Sequence, residues 1–176
     1  MLFRSQNNVP RAAESEDGKT RTVTFWFRDS ATTPWRKISS VQGEAQRVKP
    51  ADFDADGSLL VFSNLNSDKF KLYEFDPVAG KPTKLVLDHP LVDLDSGTLL
   101  TRLSDHKVIG MYIDADKPET VWFDEAAAKL QKLMDASLPP GTVNVITPLD
   151  DGKASIVAYG DRDPGQHGGR NEGKNG

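Results

Sequence analysis

The sequence predicts an all-β fold: an incomplete β-propeller of about three to four blades of antiparallel strands, with one inserted α-helix. Three observations predict it. Tight-turn dipeptides recur along the chain, at Asp17-Gly18, Asp56-Gly57, Asp105-His106 and Asp151-Gly152. Each precedes a run of β-branched and aromatic residues, the composition that suits a pleated strand. In three units an aromatic in a second strand-like run then follows at a near-constant distance. Trp35 lies 17 residues after Gly18, Tyr73 lies 16 after Gly57, and Trp122 lies 16 after His106.

The units can be taken in order. Asp17-Gly18-Lys19 leads to Val23–Phe27 and then to Trp35-Arg36-Lys37-Ile38. Asp56-Gly57-Ser58 leads to Leu59–Asn64 and then to Lys69–Phe75. This second unit is the clearest, because Pro50–Phe53 precedes it as an inner strand and Thr83–Leu87 follows it as an outer one. Asp105-His106-Lys107 leads to Val108–Ile113 and Val121–Phe123, with His106 where the other turns have glycine. Asp151-Gly152-Lys153 leads to Ser155–Tyr159. Asp-Gly suits such turns because glycine accepts positive φ and the Asp carboxylate bonds back to the backbone. The turns recur at intervals of 39, 49 and 46 residues. A four-stranded blade takes about 40–50 residues, whereas a helical solenoid would show amphipathic helices in every unit.

One helix interrupts the strands. Asp124 is a good N-cap for residues 125–138, and Ala126, Ala127, Leu130, Leu133, Met134 and Leu138 recur at three and four residues to form one apolar stripe. Pro139-Pro140-Gly141 stops it. The stripe is expected to pack on its own sheet. The domain reading is an N-terminal segment, 1–21, partly flexible; blades over 22–165; and a tail, 166–176, expected to be disordered. From His167 onward the tail has no apolar residue with which to offset its ordering entropy. It falls where the fourth unit is due its second strand.

Composition bounds the function. Of 176 residues 37% are hydrophobic and 27% charged, a globular balance, and the formal net charge is -4. That mildly acidic total argues against sequence-independent nucleic-acid binding, which needs clustered Lys and Arg. There is no cysteine, which excludes disulfides, thiolate nucleophiles and Cys-based zinc sites. No apolar run approaches the roughly 20 residues that span a bilayer, and the first residues lack the apolar core of a secretion signal. No membrane role is expected. The compartment, cytoplasmic or periplasmic, stays open.

Candidate chemistry is sparse. No Gly-x-Ser-x-Gly elbow occurs, and the three histidines, His89, His106 and His167, lie in turns or in the tail. A triad needs a serine held at hydrogen-bond distance from such a base. Asp52-x-Asp54-x-Asp56-Gly57 reproduces the first half of an EF-hand loop, but Ser63 stands where the bidentate Glu is due and the flanks read as strands. The expectation is an Asp-rich turn whose carboxylates are solvated or cap backbone N–H groups. Asp93 with Asp95, Asp114 with Asp116, and Asp161 with Asp163 read the same way. Trp26, Trp35 and Trp122 are expected to pack in the core or between blades. No catalytic, cofactor or metal residue is assigned.

The ordered combination of motifs resembles a known family. Pro50-Ala51-Asp52-Phe53, Asp56–Asn64 and Leu72–Asp76 look like a blade of the propeller in prolyl oligopeptidase family serine peptidases. Val108–Tyr112, Asp116-Lys117-Pro118, Val121–Asp124, the helix and Asp161–Gly165 are similar to bacterial members of the acylaminoacyl- and dipeptidyl-peptidase-like branch. The resemblance covers roughly Thr22 to Gly165. It implies a propeller that precedes an α/β-hydrolase domain and restricts access to short peptides. The catalytic Ser, Asp and His belong to that second domain, so none carries over. The implied reading is a fragment, inactive alone. Its partner is the α/β-hydrolase domain of a parent peptidase or a second copy of the chain, and it meets peptide substrate only through the parent. The alternative is a free-standing propeller-like module that binds a protein or ligand.

Overall fold

The computed structural model describes residues 1–5, 7–43, 45–115, 118–148 and 154–159. It is an all-β protein with four antiparallel sheets and one helix. Two compact units divide it, one over Met1–Val121 and one that begins at Trp122.

In the first unit, β1 (Leu2–Arg4), β2 (Pro10–Asp17), β3 (Thr22–Phe27) and β4 (Arg36–Gln42) form sheet A, in the order β1-β2-β3-β4. The segment before Thr22, expected to be partly flexible, therefore supplies two strands. Sheet B repeats the meander with β5 (Val48–Phe53), β6 (Leu59–Ser63), β7 (Lys71–Asp76) and β8 (Lys81–Leu87). A connector carrying one 3₁₀ turn, Leu94–Ser96, leads to β9 (Thr98–Thr101), β10 (Val108–Ile113) and β11 (Glu119–Trp122), which make sheet C in the order β11-β10-β9.

The expected strands and turns of the second unit fall on β5 to β8. The Asp54 carbonyl accepts from Gly57 N–H at 2.9 Å, the Ser58 carbonyl accepts from Asp54 N–H at 2.9 Å, and Gly57 sits at φ +82°. That is a type I turn closed by one left-handed residue, the conformation glycine takes without a Cβ penalty. At Asp105-His106 the imidazole-bearing residue takes the same role: His106 adopts φ +58°, and its N–H bonds the Arg102 carbonyl at 2.8 Å. Histidine tolerates this region better than most residues, so the substitution keeps the turn. At Asp17-Gly18 the left-handed residue is not the glycine but Arg21, at φ +53°, whose N–H bonds the Asp17 carbonyl. Asp17 holds the loop by accepting from the N–H groups of Thr20 and Lys19, which lowers its pKa. Asp76 does the same with Ala79 and Val78 in the loop that ends at Gly80, φ +66°.

Strand alternation decides what each sheet buries. Leu59 pairs with Phe53 and Phe75, and Val61 with Pro50 and Tyr73, so these side chains share one face of sheet B. That face meets Ala12, Phe25 and Phe27 of sheet A, with Phe3 and Ile38 at the border. Phe25 and Phe75 lie 5.4 Å apart, tilted by 52°. Burying each such ring stabilises by about 1.5–3 kcal/mol. A bulge between Pro50 and Asp52 absorbs one residue and returns Phe53 to this face.

Leu60, Phe62 and Leu72 lie on the opposite face of sheet B and are buried as well. Their same-face neighbours show what covers them. Lys49, opposite Phe62, pairs with Asp95 of the 3₁₀ turn at 3.0 Å, and Asp52, opposite Leu60, accepts from Thr101 Oγ1 of β9 at 3.4 Å. Every residue of β6 is therefore buried, including Ser63. The connector is pinned to β7: the Asp93 carboxylate accepts from Phe70 N–H and the Phe70 carbonyl accepts from Leu94 N–H.

The second unit holds α1 (Glu125–Ser137) and a hairpin of β12 (Val143–Pro148) and β13 (Ala154–Tyr159). Asp124 caps α1 as expected, its carboxylate accepting from Ala126 and Ala127 N–H at 3.0 and 3.1 Å. The helix lies on β12, held by Gln131 and Asp135 to Asn144. The apolar stripe is covered only in part. No residue of the helix is fully buried, and Leu133 is 66% exposed. A two-stranded sheet is too narrow to cover a stripe of that width. The turn at Asp151-Gly152 and the tail 166–176 lie outside the described residues. No helix among the described residues is long and apolar enough to cross a membrane.

Candidate functional site

The acidic turn is a tether between sheets. Asp54 Oδ1 accepts from Val108 N–H of β10 at 2.9 Å and from Ala55 N–H at 2.7 Å. Asp56 Oδ1 accepts from Ser58 N–H at 2.8 Å, and the Ser58 hydroxyl and N–H hold its pKa below the ordinary value. Asp52 takes Phe53 N–H and the Thr101 hydroxyl, and burial raises its pKa. The three carboxylates diverge toward backbone groups instead of converging on a common point. Among the described residues no group of three Asp, Glu or His side chains could hold a metal ion. Asp93 and Asp95 are spent on the connector, and Asp114 is exposed. Asp116, Asp161 and Asp163 lie outside the described residues.

The histidines are also engaged locally. His89 Nδ1 accepts from the N–H groups of Leu91 and Val92, so its hydrogen sits on Nε2 and is donated to Glu119 Oε1 at 2.9 Å. His106 occupies its turn. His167 lies outside the described residues. Among the described residues no serine hydroxyl is hydrogen-bonded to a histidine.

The tryptophans do not form the core; phenylalanines do. Trp26 and Trp122 are half-buried and direct Nε1–H to Ser15 Oγ and Gln131 Oε1, at 2.9 and 3.4 Å. Trp35 precedes β4, is 36% exposed, and carries the Arg28 guanidinium over its ring at 4.6 Å. An indole needs a partner for its N–H, which the rim of a sheet supplies and an apolar interior does not.

The feature with unspent chemistry is at the seam of sheets A and B. Arg11, on β2, lies 5.4 Å from the Phe27 ring centroid and 5.2 Å from that of Phe53, so its guanidinium touches one aromatic from each sheet. Cation–π contact of this kind holds a guanidinium plane without using its N–H donors. Arg11 Nε is buried and meets no acceptor among the described residues. Arg36 also lies over Phe27, at 5.1 Å, but donates to Asp29 and to the Pro77 carbonyl. Glu14, on the same strand as Arg11, has Oε2 buried without a donor. Nothing in the sequence around Pro10-Arg11-Ala12 marks this site, because Phe27 and Phe53, which build it, come from other strands. Set beside known protein families, curated proteins and solved structures, the chain matches none of them.

Proposed function

We propose that this chain is a non-catalytic run of β-propeller blades, resembling the substrate-gating domain of a prolyl oligopeptidase-like serine peptidase and inactive alone. The observation that carries the reading is sheet B. It is a four-stranded antiparallel meander covered on both faces, by sheet A on one side and by the connector and β9 on the other. Successive antiparallel meanders stacked face to face are how blades bury their cores. The hydrogen-bonded His89 ring and the links of Asp52 to β9 and of Asp54 to β10 fit a scaffold. The peptidase part of the proposal rests on the sequence resemblance alone.

Two measurements test it. The purified chain should resist labelling by a serine-directed fluorophosphonate; a label mapping to one residue overturns the non-catalytic reading. The coding sequence downstream should contain an α/β-hydrolase frame, in phase or shifted. Its absence overturns the peptidase assignment and leaves the blade reading standing.

A further inference from the structure

We propose that Arg11 anchors a carboxylate-binding site at the seam of sheets A and B. The inference stands on Arg11's own surroundings and does not depend on the propeller reading.

An arginine brought this far into a protein normally spends its donors. The other stacked arginines do so. Arg28 donates from Nε to the Pro10 carbonyl at 2.7 Å and from Nη1 to the Ala31 carbonyl, and Arg36 reaches Asp29 and Pro77. Arg11 is the exception. It is half-buried, clamped against Phe27 and Phe53, and its Nε has no acceptor among the described residues. Its Nη1 and Nη2 are not fully enclosed and are likewise without an acceptor there.

The nearby carboxylates do not serve it. Nη1 points toward Gly57, the last residue of the acidic turn, at 4.0 Å from where a β-carbon would stand. Within that turn Asp54 bonds Val108 and Ala55, and Asp56 bonds Ser58. Glu14 makes no ion pair with Arg11. What remains is a planar fork of donors, fixed in orientation by two rings, with its outer edge accessible. A carboxylate matches that fork with two parallel N–H···O bonds. The rings have already restricted the side chain, so binding loses less rotamer entropy than at a free surface arginine.

The carboxylate could come from a peptide C-terminus or from an Asp or Glu side chain, and one titration separates the two. The probes are acetyl-trialanine with a free C-terminus, the same peptide as its C-terminal amide, and acetyl-aspartate amide. The readout is the Arg11 side-chain Nε–H signal in ¹⁵N-resolved NMR of the whole chain. We expect a saturable downfield shift in the low-millimolar range with the free acid and none with the amide. A matching shift with acetyl-aspartate amide assigns a general carboxylate site, and its absence assigns a site for chain termini. Arg11→Lys should keep the charge but lose at least most of the saturable response at the Phe53 and Gly57 amides, because the fork is gone. No saturable shift in the wild type overturns the proposal, as does an equal shift with the amide. If Arg11→Lys does not fold, the wild-type titration alone decides.

Discussion

A β-carbon added to Gly97 would stand 2.5 Å from Met111 Cε and 2.8 Å from the Tyr112 carbonyl oxygen. Its backbone is ordinary, at φ -80°, so the constraint is space and not conformation. The methionine end can move but the carbonyl belongs to a paired strand. Gly97→Ala should therefore cost about 1–3 kcal/mol in denaturant melts, the range for overpacking a filled interior. Asp52 offers a second test, with a sign fixed by its surroundings. Burial raises its pKa above 3.8, so the folded state binds its proton more tightly than the unfolded state does. Above the raised pKa the ionised carboxylate penalises folding. As pH falls through that value toward 3.8 the penalty disappears. Asn in its place can still accept from Phe53 N–H and can donate to Thr101 Oγ1. Asp52→Asn should stabilise at neutral pH, and the gain should vanish below pH 3.8. Thermal melts across that range check it, and a gain that persists in acid would rule out the ionisation account.

Helix α1 shows where an element was legible and where it was not. The Asp124 cap and the Pro139-Pro140-Gly141 stop are local signals, and the helix runs between them. Asp124→Ala should cost about 1 kcal/mol through loss of two capped N–H groups. The depth of the apolar stripe depends on the partner surface, which no local pattern reports. Leu130 is half-buried, so Leu130→Ala should cost less than the roughly 2–5 kcal/mol of a fully buried leucine. Paired melts of the two variants check both values. The hairpins of sheet B were legible because Asp-Gly turns and β-branched runs coincide there. Strand β2 was not, since Pro10-Arg-Ala-Ala-Glu-Ser-Glu-Asp17 is poor in strand formers and is held by pairing with β1 and β3. The Arg11 site was illegible for the same reason: it exists only once three strands have come together.

At the scale of the whole molecule the question is which surface drives self-association. Sheets A and B each end on a strand that carries charge, Arg36 and Lys37 on β4, Lys81 and Lys84 on β8, and lysine on an edge blocks pairing with another chain. Strand β13 has no such protection. It belongs to a two-stranded sheet, and its sequence, Ala154-Ser-Ile-Val-Ala-Tyr159, holds no charge and no proline. Ile156 is 38% exposed and Val157 43%, so apolar surface shows on both faces of the strand. An uncharged six-residue strand carrying Ile156, Val157 and Tyr159, at the edge of its sheet among the described residues, forms a template for strand addition. A two-stranded sheet is also only marginally stable by itself and gains by acquiring strands. The purified chain should therefore self-associate, with light scattering during size-exclusion chromatography showing a mass that rises with concentration. Val157→Lys should restore the monomer, because pairing would then bring two lysines from neighbouring copies together. Leu85→Lys on β8, where the wild-type leucine is 49% exposed, should leave the association unchanged. A wild-type chain that elutes as a concentration-independent monomer would show that β13 is already covered, and an effect of Leu85→Lys equal to that of Val157→Lys would place the contact on sheet B instead.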